Sequence, residues 1–545
     1  MIRPSQKNPP FSLDRRQLMT SAAAAGVALM PWRATQASVD LPAISGRDPR
    51  TLVIAIDTEV PNLDPATNVE WAYGLAPVYE TLMRLKGTSP SEVEPALATA
   101  VWPHQKRGYE YQIWEMTLRE GVNFHDGTAC NAESVKQAIL RTVDHPFGLG
   151  IVWWMENGAE QITVLDDYRL RFEFTFQRPF FPLELASQYG FWIQSPTAAE
   201  IIPPAARPVG TGPYIFESHD PGQTLTYKRN NEYWRGWDHG GFERVVTRTV
   251  PIASTRRQLI EQGAADIIFP GSADDIYSYR EDPRFIVTDA PTMVIDYICL
   301  GCYGPLADPR ARQAMNHAFD KKTYIEDALL NTARPAHGVF PSELATANPD
   351  IEGLQFDLGK AKELFDAAGV EEGTVLTYEF WTGGGNIAGE LLQIWLAEIG
   401  IILELKEVSL SAWLADFFTS APPEQRPNMY YSSWWPGWNH PENYASGLFF
   451  TTELVEGAGN AGLYSNAEVD QLLWDMFQHP FGEKLTAMSH RLQDILARED
   501  PPWVPLSHFD TNLVVRKDIK GLELNPVYYA AWDNYRAYRE GYSEA

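Results

Sequence analysis

The sequence predicts an α/β protein built from more than one domain, and three observations carry that prediction. The chain has 545 residues, 44% of them apolar and 21% charged, enough for two or three separate cores in a globular composition. Near its amino end a β-branched run leads through a long polar loop into apolar residues at helical spacing. Farther on, residues 357–434 alternate helix and strand patterns, as a parallel sheet with crossover helices requires.

Charge and the first 37 residues set the address. The net charge is −27, and five basic residues against one acidic residue in 1–37 make it −31 without that segment. Such a charge repels nucleic acid and anionic headgroups and disfavours self-association, so no nucleic-acid partner and a monomer are expected. Arg15-Arg16 precede a short apolar run, 22–30, and then Ala34-Thr35-Gln36-Ala37. A basic start, an apolar stretch of this length and a small-x-small site predict a cleaved signal peptide over 1–37, and the paired arginines point to the twin-arginine route. No other run approaches the roughly 18 apolar residues of a membrane helix. A periplasmic protein is expected. Of the three cysteines, Cys299 and Cys302 have CxxC spacing but fall in an apolar strand pattern with no second pair, so buried thiols are expected.

Taken in order, residues 51–56 read as the first strand and 57–71 as a long loop at its carboxyl end, where open α/β sheets bind ligands. Leu75, Val78, Tyr79 and Leu82 then share one helical face. Residues 86–206 read as an inserted α/β subdomain. In it Trp114, Met116 and Leu118 alternate along a strand, and Asn131 caps a helix holding Val135 and Ile139. Tyr168, Leu170, Phe172, Phe174 and Phe176 alternate along another strand. His125-Asp126 sits in a glycine-bounded turn with no further ligand nearby, so no chemistry is assigned to it.

Gly210 and Gly212 permit positive φ and Pro213 fixes the next residue, which predicts a sharp turn into a strand from Tyr214. Pro221-Gly222 returns the chain as a hairpin. Residues 245–250, 256–263 and 265–269 then read as strand, helix and strand. From 294 the chain enters a second lobe. An amphipathic helix over 308–320 is followed by a helix capped by Asp357 and ended by Gly369, and by strand 375–381. A helix with Ile387, Leu391, Ile394 and Trp395 inward comes next, then strand 401–407, a short helix, and strand 428–434. This succession implies a parallel sheet with right-handed crossovers. After Pro501-Pro502-Trp503 the chain is expected to return to the first lobe and end beyond a Gly521 turn.

Four stretches carry a resemblance. Pro208-Val-Gly-Thr-Gly-Pro-Tyr214 with Asn230-Asn-Glu-Tyr-Trp234 is similar to a signature of the extracytoplasmic solute-binding proteins of peptide and nickel ABC importers, bacterial solute-binding protein family 5. Residues 118–141, 308–320 and 499–521 resemble three further signatures of that family in the same order. The resemblance covers nearly all of 50–525 and implies a two-lobed class II periplasmic binding protein. Lobe I would comprise 51–85, 207–290 and 506–545, with 86–206 inserted into it, and 291–505 would form lobe II. It further implies a small, oligopeptide-like solute enclosed between the lobes, delivery to the transmembrane subunits of an ABC permease, no cofactor and no catalysis.

The candidate ligand loop is Trp434-Trp-Pro-Gly-Trp-Asn-His-Pro-Glu-Asn-Tyr444, within a run holding eight aromatics in 21 positions. Tryptophans in a polar loop either stack on a ligand or cover the end of the sheet. Trp434, Trp435, Trp438, Asn439 and Glu442 are the candidates here, with Glu70 and Trp71 from the first loop and Trp153 from the inserted stretch. Relatives typically carry an acid in this loop, where Gly437, Asn439 and His440 stand. An oligosaccharide or other non-peptide solute is therefore the alternative. A secreted hydrolase lacks any GxSxG or HExxH, and a nickel or haem carrier lacks clustered histidines. Gly383-Gly384-Gly385 lacks the frame of a phosphate-binding loop.

Overall fold

The computed structural model describes residues 48–60, 62–67, 72–104, 110–143, 158–188, 191–201, 203–419, 421–451, 459–528 and 531–542. The expected signal segment, Glu70, Trp71 and Trp153 lie outside the described residues.

The β-branched run forms strand Thr51–Ile56 at the centre of a seven-stranded sheet. It pairs in parallel with Arg244–Thr249 on one side and Ile267–Ile268 on the other. Leu52, Ile54 and Ile56 bury one face against Tyr214, Tyr227 and Trp532, while Val53 and Ala55 bury the other against Ile260 and Tyr279. A strand covered on both faces needs a continuous apolar run, which this one has. The predicted hairpin, Tyr214–Asp220 with Thr224–Arg229, extends the sheet, and Gly222 takes φ +71° in its turn.

After the first loop the helix covers only Ala72–Leu75. Pro77 has no N–H with which to continue the helix ladder, and Val78, Tyr79 and Leu82 reach the core through the turn that follows.

That turn explains the 208–234 signature. Gly210 and Gly212 do not adopt positive φ. A Cβ at Gly210 would stand 2.2 Å from the Val78 carbonyl oxygen, and one at Gly212 would stand 2.7 Å from that of Pro77. Close backbone approach, not turn geometry, requires the glycines. Thr211 Oγ1, Tyr233 Oη and Trp234 Nε1 then donate to the Glu80 carboxylate at 2.8, 2.7 and 3.0 Å. His125 closes the junction from the inserted subdomain. Its backbone N–H reaches the Gly210 carbonyl and its Nε2 lies 2.9 Å from the Gly212 oxygen. Asp126 accepts from Thr128 and Ser195, so this pair is a structural turn.

The subdomain is a four-stranded antiparallel sheet ordered Ala98–Pro103, Ile113–Leu118, Arg169–Glu173, Ile162–Asp166, backed by helix Ala132–Val143. Trp114, Met116 and Leu118 face its core with Leu170 and Phe172. The strand expected over 168–176 is shorter, and Arg178 follows it into the interior.

Lobe II contains a six-stranded mixed sheet. Ile402–Val408, Val375–Trp381 and Met429–Trp434 run parallel, as the strand–helix succession predicts. Ala290–Leu300 and Trp503–Thr511 add antiparallel strands. Helix Asn386–Glu398 presents Ala388, Gly389, Leu392, Trp395 and Leu396 inward, while Ile387 and Ile394 face solvent. The expected face is rotated because Gly389 lies under the Tyr378 ring, where a Cβ would stand 2.5 Å away. Two more signature stretches meet here. Buried Arg312 pairs with Asp500 and donates to the Pro501, Leu306 and Ala307 carbonyls, and Asn316 donates to Trp503.

The chain passes between the two sheets twice. Phe285–Val287 belongs to the first and Ala290–Leu300 to the second; Trp503–Thr511 belongs to the second and Val514–Arg516 to the first. The crossings lie side by side, joined by Thr288 N to Leu513 O at 2.9 Å and Thr288 Oγ1 to Thr511 O at 2.6 Å.

Candidate functional site at the edge of the second sheet

Strands Val375–Trp381 and Met429–Trp434 are parallel neighbours, so the loops leaving them share one edge of the sheet. The glycine run occupies the first loop, with Gly383 at φ +93° and Gly385 at φ +84°. Cβ atoms at Gly384 and Gly385 would lie 2.4 Å from the Trp381 indole and 2.3 Å from the Tyr431 ring. These glycines fit a backbone beneath aromatic rings.

The second loop runs from Trp435 to His440, and helix Pro441–Phe449 follows, earlier than the expected loop would end. Pro441 occupies the first helical turn, where a missing N–H costs nothing, and the His440 side chain caps the helix by accepting from Glu442 N. Asn443 Oδ1 accepts from the N–H groups of Gly437 and Trp438 and folds the loop back on the helix.

This folding sorts the candidate residues. Trp434 and Trp435 remain half-buried, Trp434 donating to the Tyr444 carbonyl at 2.8 Å. Trp438 is buried in the core cluster of the inserted subdomain. Asn439 is buried, donating to the Glu343 carbonyl and accepting from Ala345 N, each at 3.0 Å. Glu442 is 1% exposed, and burial pushes its carboxyl up to about 8. These last three side chains are buried.

Other groups at this edge gave little sequence signal. Asp296 lies in strand Ala290–Leu300 and accepts from the Tyr431 and Ser433 hydroxyls beneath the aromatic loop; burial pushes it up to about 7. Arg334 bridges Glu343 and Asp510 at 2.7 and 3.0 Å beside the Asn439 contact. Tyr528 Oη donates to the Gly437 carbonyl and lies 3.3 Å from Ser187 Oγ and Gln188 N. It therefore ties the aromatic loop to the inserted subdomain. An isolated aspartate in an apolar run was the available clue for Asp296. Nothing local marked Tyr528.

Cys299 is buried and Cys302 half-buried, both free, with burial pushing the Cys302 thiol up to about 11. Among the described residues no three His, Cys, Asp or Glu side chains cluster as a metal site, and no helix is long and apolar enough to cross a membrane.

Comparison with known proteins agrees with this architecture. The di/tripeptide-binding protein 2 of Pseudomonas aeruginosa is 26% identical over 518 residues, covering 88% of this chain and 93% of that protein. The heme-binding protein A of Haemophilus influenzae is 25% identical, covering 84% and 86%. Among solved structures, the Helicobacter pylori ABC transporter-associated periplasmic binding protein DppA, in complex with the peptide STSA, superposes with a TM-score of 0.78. The two are 22% identical over 90% of this chain and 98% of that one, a likeness that shows the two-lobed α/β fold. The model of "Bacterial extracellular solute-binding proteins, family 5 Middle" matches residues 92–454, well over half of the chain. The chain belongs to the family 5 bacterial extracellular solute-binding proteins.

Proposed function

We propose that this protein is the periplasmic substrate-binding component of an ABC importer, closing two lobes over an oligopeptide-like solute and passing it to the permease's transmembrane subunits. The carrying observation is the sheet edge at Trp434 and Trp435. Two half-buried indoles stand at the end of a strand whose parallel neighbour leads into the glycine turn, and flat apolar surface of this kind stacks on peptide groups and side chains. Relatives named for di- and tripeptide binding support the ligand class. In this reading Trp434 and Trp435 contact the ligand together with Glu70, Trp71 and Trp153. Trp438, Asn439 and Glu442 hold the loop in place. The lobes are assigned as 51–85, 207–290 and 512–545 with the insertion 86–206, against 291–511; the boundary expected at 505/506 moves because Trp503–Thr511 pairs within the second sheet, and the protein acts as a monomer without catalysis.

Export by the twin-arginine route with cleavage after Ala37 belongs to the same reading, and replacing Arg15 and Arg16 by lysine is expected to abolish periplasmic yield. Titration calorimetry with a pool of di- to pentapeptides, its N-acetylated counterpart and a set of oligosaccharides tests the ligand class. Micromolar binding of the free peptides, lost in Trp435→Ala, is expected. Binding of oligosaccharides alone overturns the peptide reading.

A further inference from the structure

Four ionisable side chains meet where segment 174–185 of the inserted subdomain packs on 437–449 of lobe II. Arg178, Glu184, His440 and Glu442 are each no more than 1% exposed. Aromatic rings seal them. Phe180 stacks on His440 with centroids 3.9 Å apart, Phe481 meets that imidazole edge-on at 5.6 Å, and the Arg178 guanidinium lies 4.0 Å from the Phe477 centroid.

The charge balance of this cluster is uneven. Arg178 pairs directly with Glu184, and its charge also acts on Glu442. His440 Nδ1 accepts the Glu442 N–H, so the ring is neutral and carries its proton on Nε2. Burial and the Arg178 charge both oppose a second proton on that ring. One guanidinium thus faces two carboxyl groups. With both ionised, a net negative charge would be buried with Arg178 as the one cation acting on Glu442 among the described residues, which is costly. Glu184 holds the direct ion pair with Arg178, whereas Glu442 meets the Ser446 hydroxyl and feels Arg178 only through its charge.

We propose that closure of the inserted subdomain onto lobe II takes up one proton, which resides on Glu442, so that the closed state is favoured as pH falls. Parted lobes return Glu442 to water, where a carboxyl ionises near its ordinary value of about 4.3. Sealed between them, burial holds it at about 8 even with Arg178 acting against that rise and Glu184 reinforcing it. Between those values closure binds a proton that the open form lacks. The proposal rests on the reading of a two-lobed solute binder, but its readout is lobe separation and not affinity.

The test is a distance measurement on the full, ligand-free chain, with spin labels at Ile252→Cys and Ile394→Cys, two exposed positions on opposite lobes. In the otherwise unaltered protein the closed-to-open ratio is expected to fall by up to tenfold per pH unit between about pH 5 and 8. Glu442→Gln, permanently neutral, is expected to remove that dependence. Glu184→Gln frees Arg178 to compensate Glu442 and is expected to flatten it too, which keeps the test open if the first variant fails to fold. A distance distribution unchanged from pH 5 to 9, or a dependence surviving in both variants, overturns the proposal. Peptide binding with no pH effect on the lobes would refute the proton and leave the binding reading standing.

Discussion

Removing the Glu80 carboxylate should disorganise the junction on which the 208–234 signature converges. Thr211, Tyr233 and Trp234 all donate to it, and Thr211 and Tyr233 are 1% and 5% exposed, so water does not readily replace the lost acceptor. Hydrogen bonds to a charged group contribute about 1.5–3 kcal/mol each. The carboxylate's own burial, which raises its pKa, offsets part of that sum. A net loss of about 3–5 kcal/mol follows for Glu80→Ala, and about 1–2 kcal/mol for Glu80→Gln, whose carbonyl keeps one acceptor. Urea unfolding followed by tryptophan fluorescence measures both, and a double-mutant cycle with Thr211→Val isolates one bond. Coupling of about 1 kcal/mol or more is expected there. If Glu80→Ala costs less than about 1 kcal/mol and the cycle shows no coupling, the three donors do not depend on this carboxylate and the explanation of the signature fails.

Three further outcomes are expected. Gly210→Ala should destabilise by more than about 2 kcal/mol, because its Cβ would meet a backbone oxygen, whereas Gly447→Ala, in a helix with its nearest neighbour at 3.6 Å, should be neutral or stabilise by up to about 1 kcal/mol in thermal unfolding. Asp296 is raised to about 7, so its contribution is full below the unfolded value and is lost as pH rises through 7; the stability of Asp296→Asn should therefore fall less than that of the wild type between pH 4 and 7. Tyr528→Phe removes the hydroxyl that joins Gly437 to the inserted subdomain and should enlarge the ligand-free radius of gyration in small-angle scattering, an unchanged value counting against Tyr528 as a tie between lobes.

Strand Thr51–Ile56, buried on both faces, was legible because its apolar run has no other use. Helix Leu358–Ala367 was legible from its Asp357 cap and Gly369 stop. Helix Asn386–Glu398 was legible as an element but not in its facing. It carries apolar residues on nearly every side, so periodicity cannot choose a face, and the choice falls to Gly389 under Tyr378. The Gly210 and Gly212 requirement was visible as glycine but not as its cause, since a carbonyl more than a hundred residues away in the sequence supplies it. At the site, the tryptophan-rich loop stood out by composition. Its division into half-buried Trp434 and Trp435 and buried Trp438 depends on Asn443 and on the subdomain packed against it. Contacts between elements so distant in sequence leave no periodic trace.

The placement of the lobe contacts bears on how closure can be controlled. The two crossings, at 288–290 and 511–514, are adjacent and hydrogen-bonded through Thr288, so they act as one axis and leave both cores intact when the lobes rotate. Such an axis alone has little preference for one angle. Away from it the lobes are held by Tyr528 on Gly437, by Phe180 on His440, and by Phe176 against Trp474 and Phe477. Most of these contacts involve the inserted subdomain, not the seven-stranded sheet. The insertion therefore acts as the arm through which the first lobe grips the second. Its hold combines aromatic surface, which is indifferent to pH, with the Arg178–Glu184–Glu442 cluster, which is not. Rotation that frees the ligand must break both, and only the second is adjustable by the medium outside the cell.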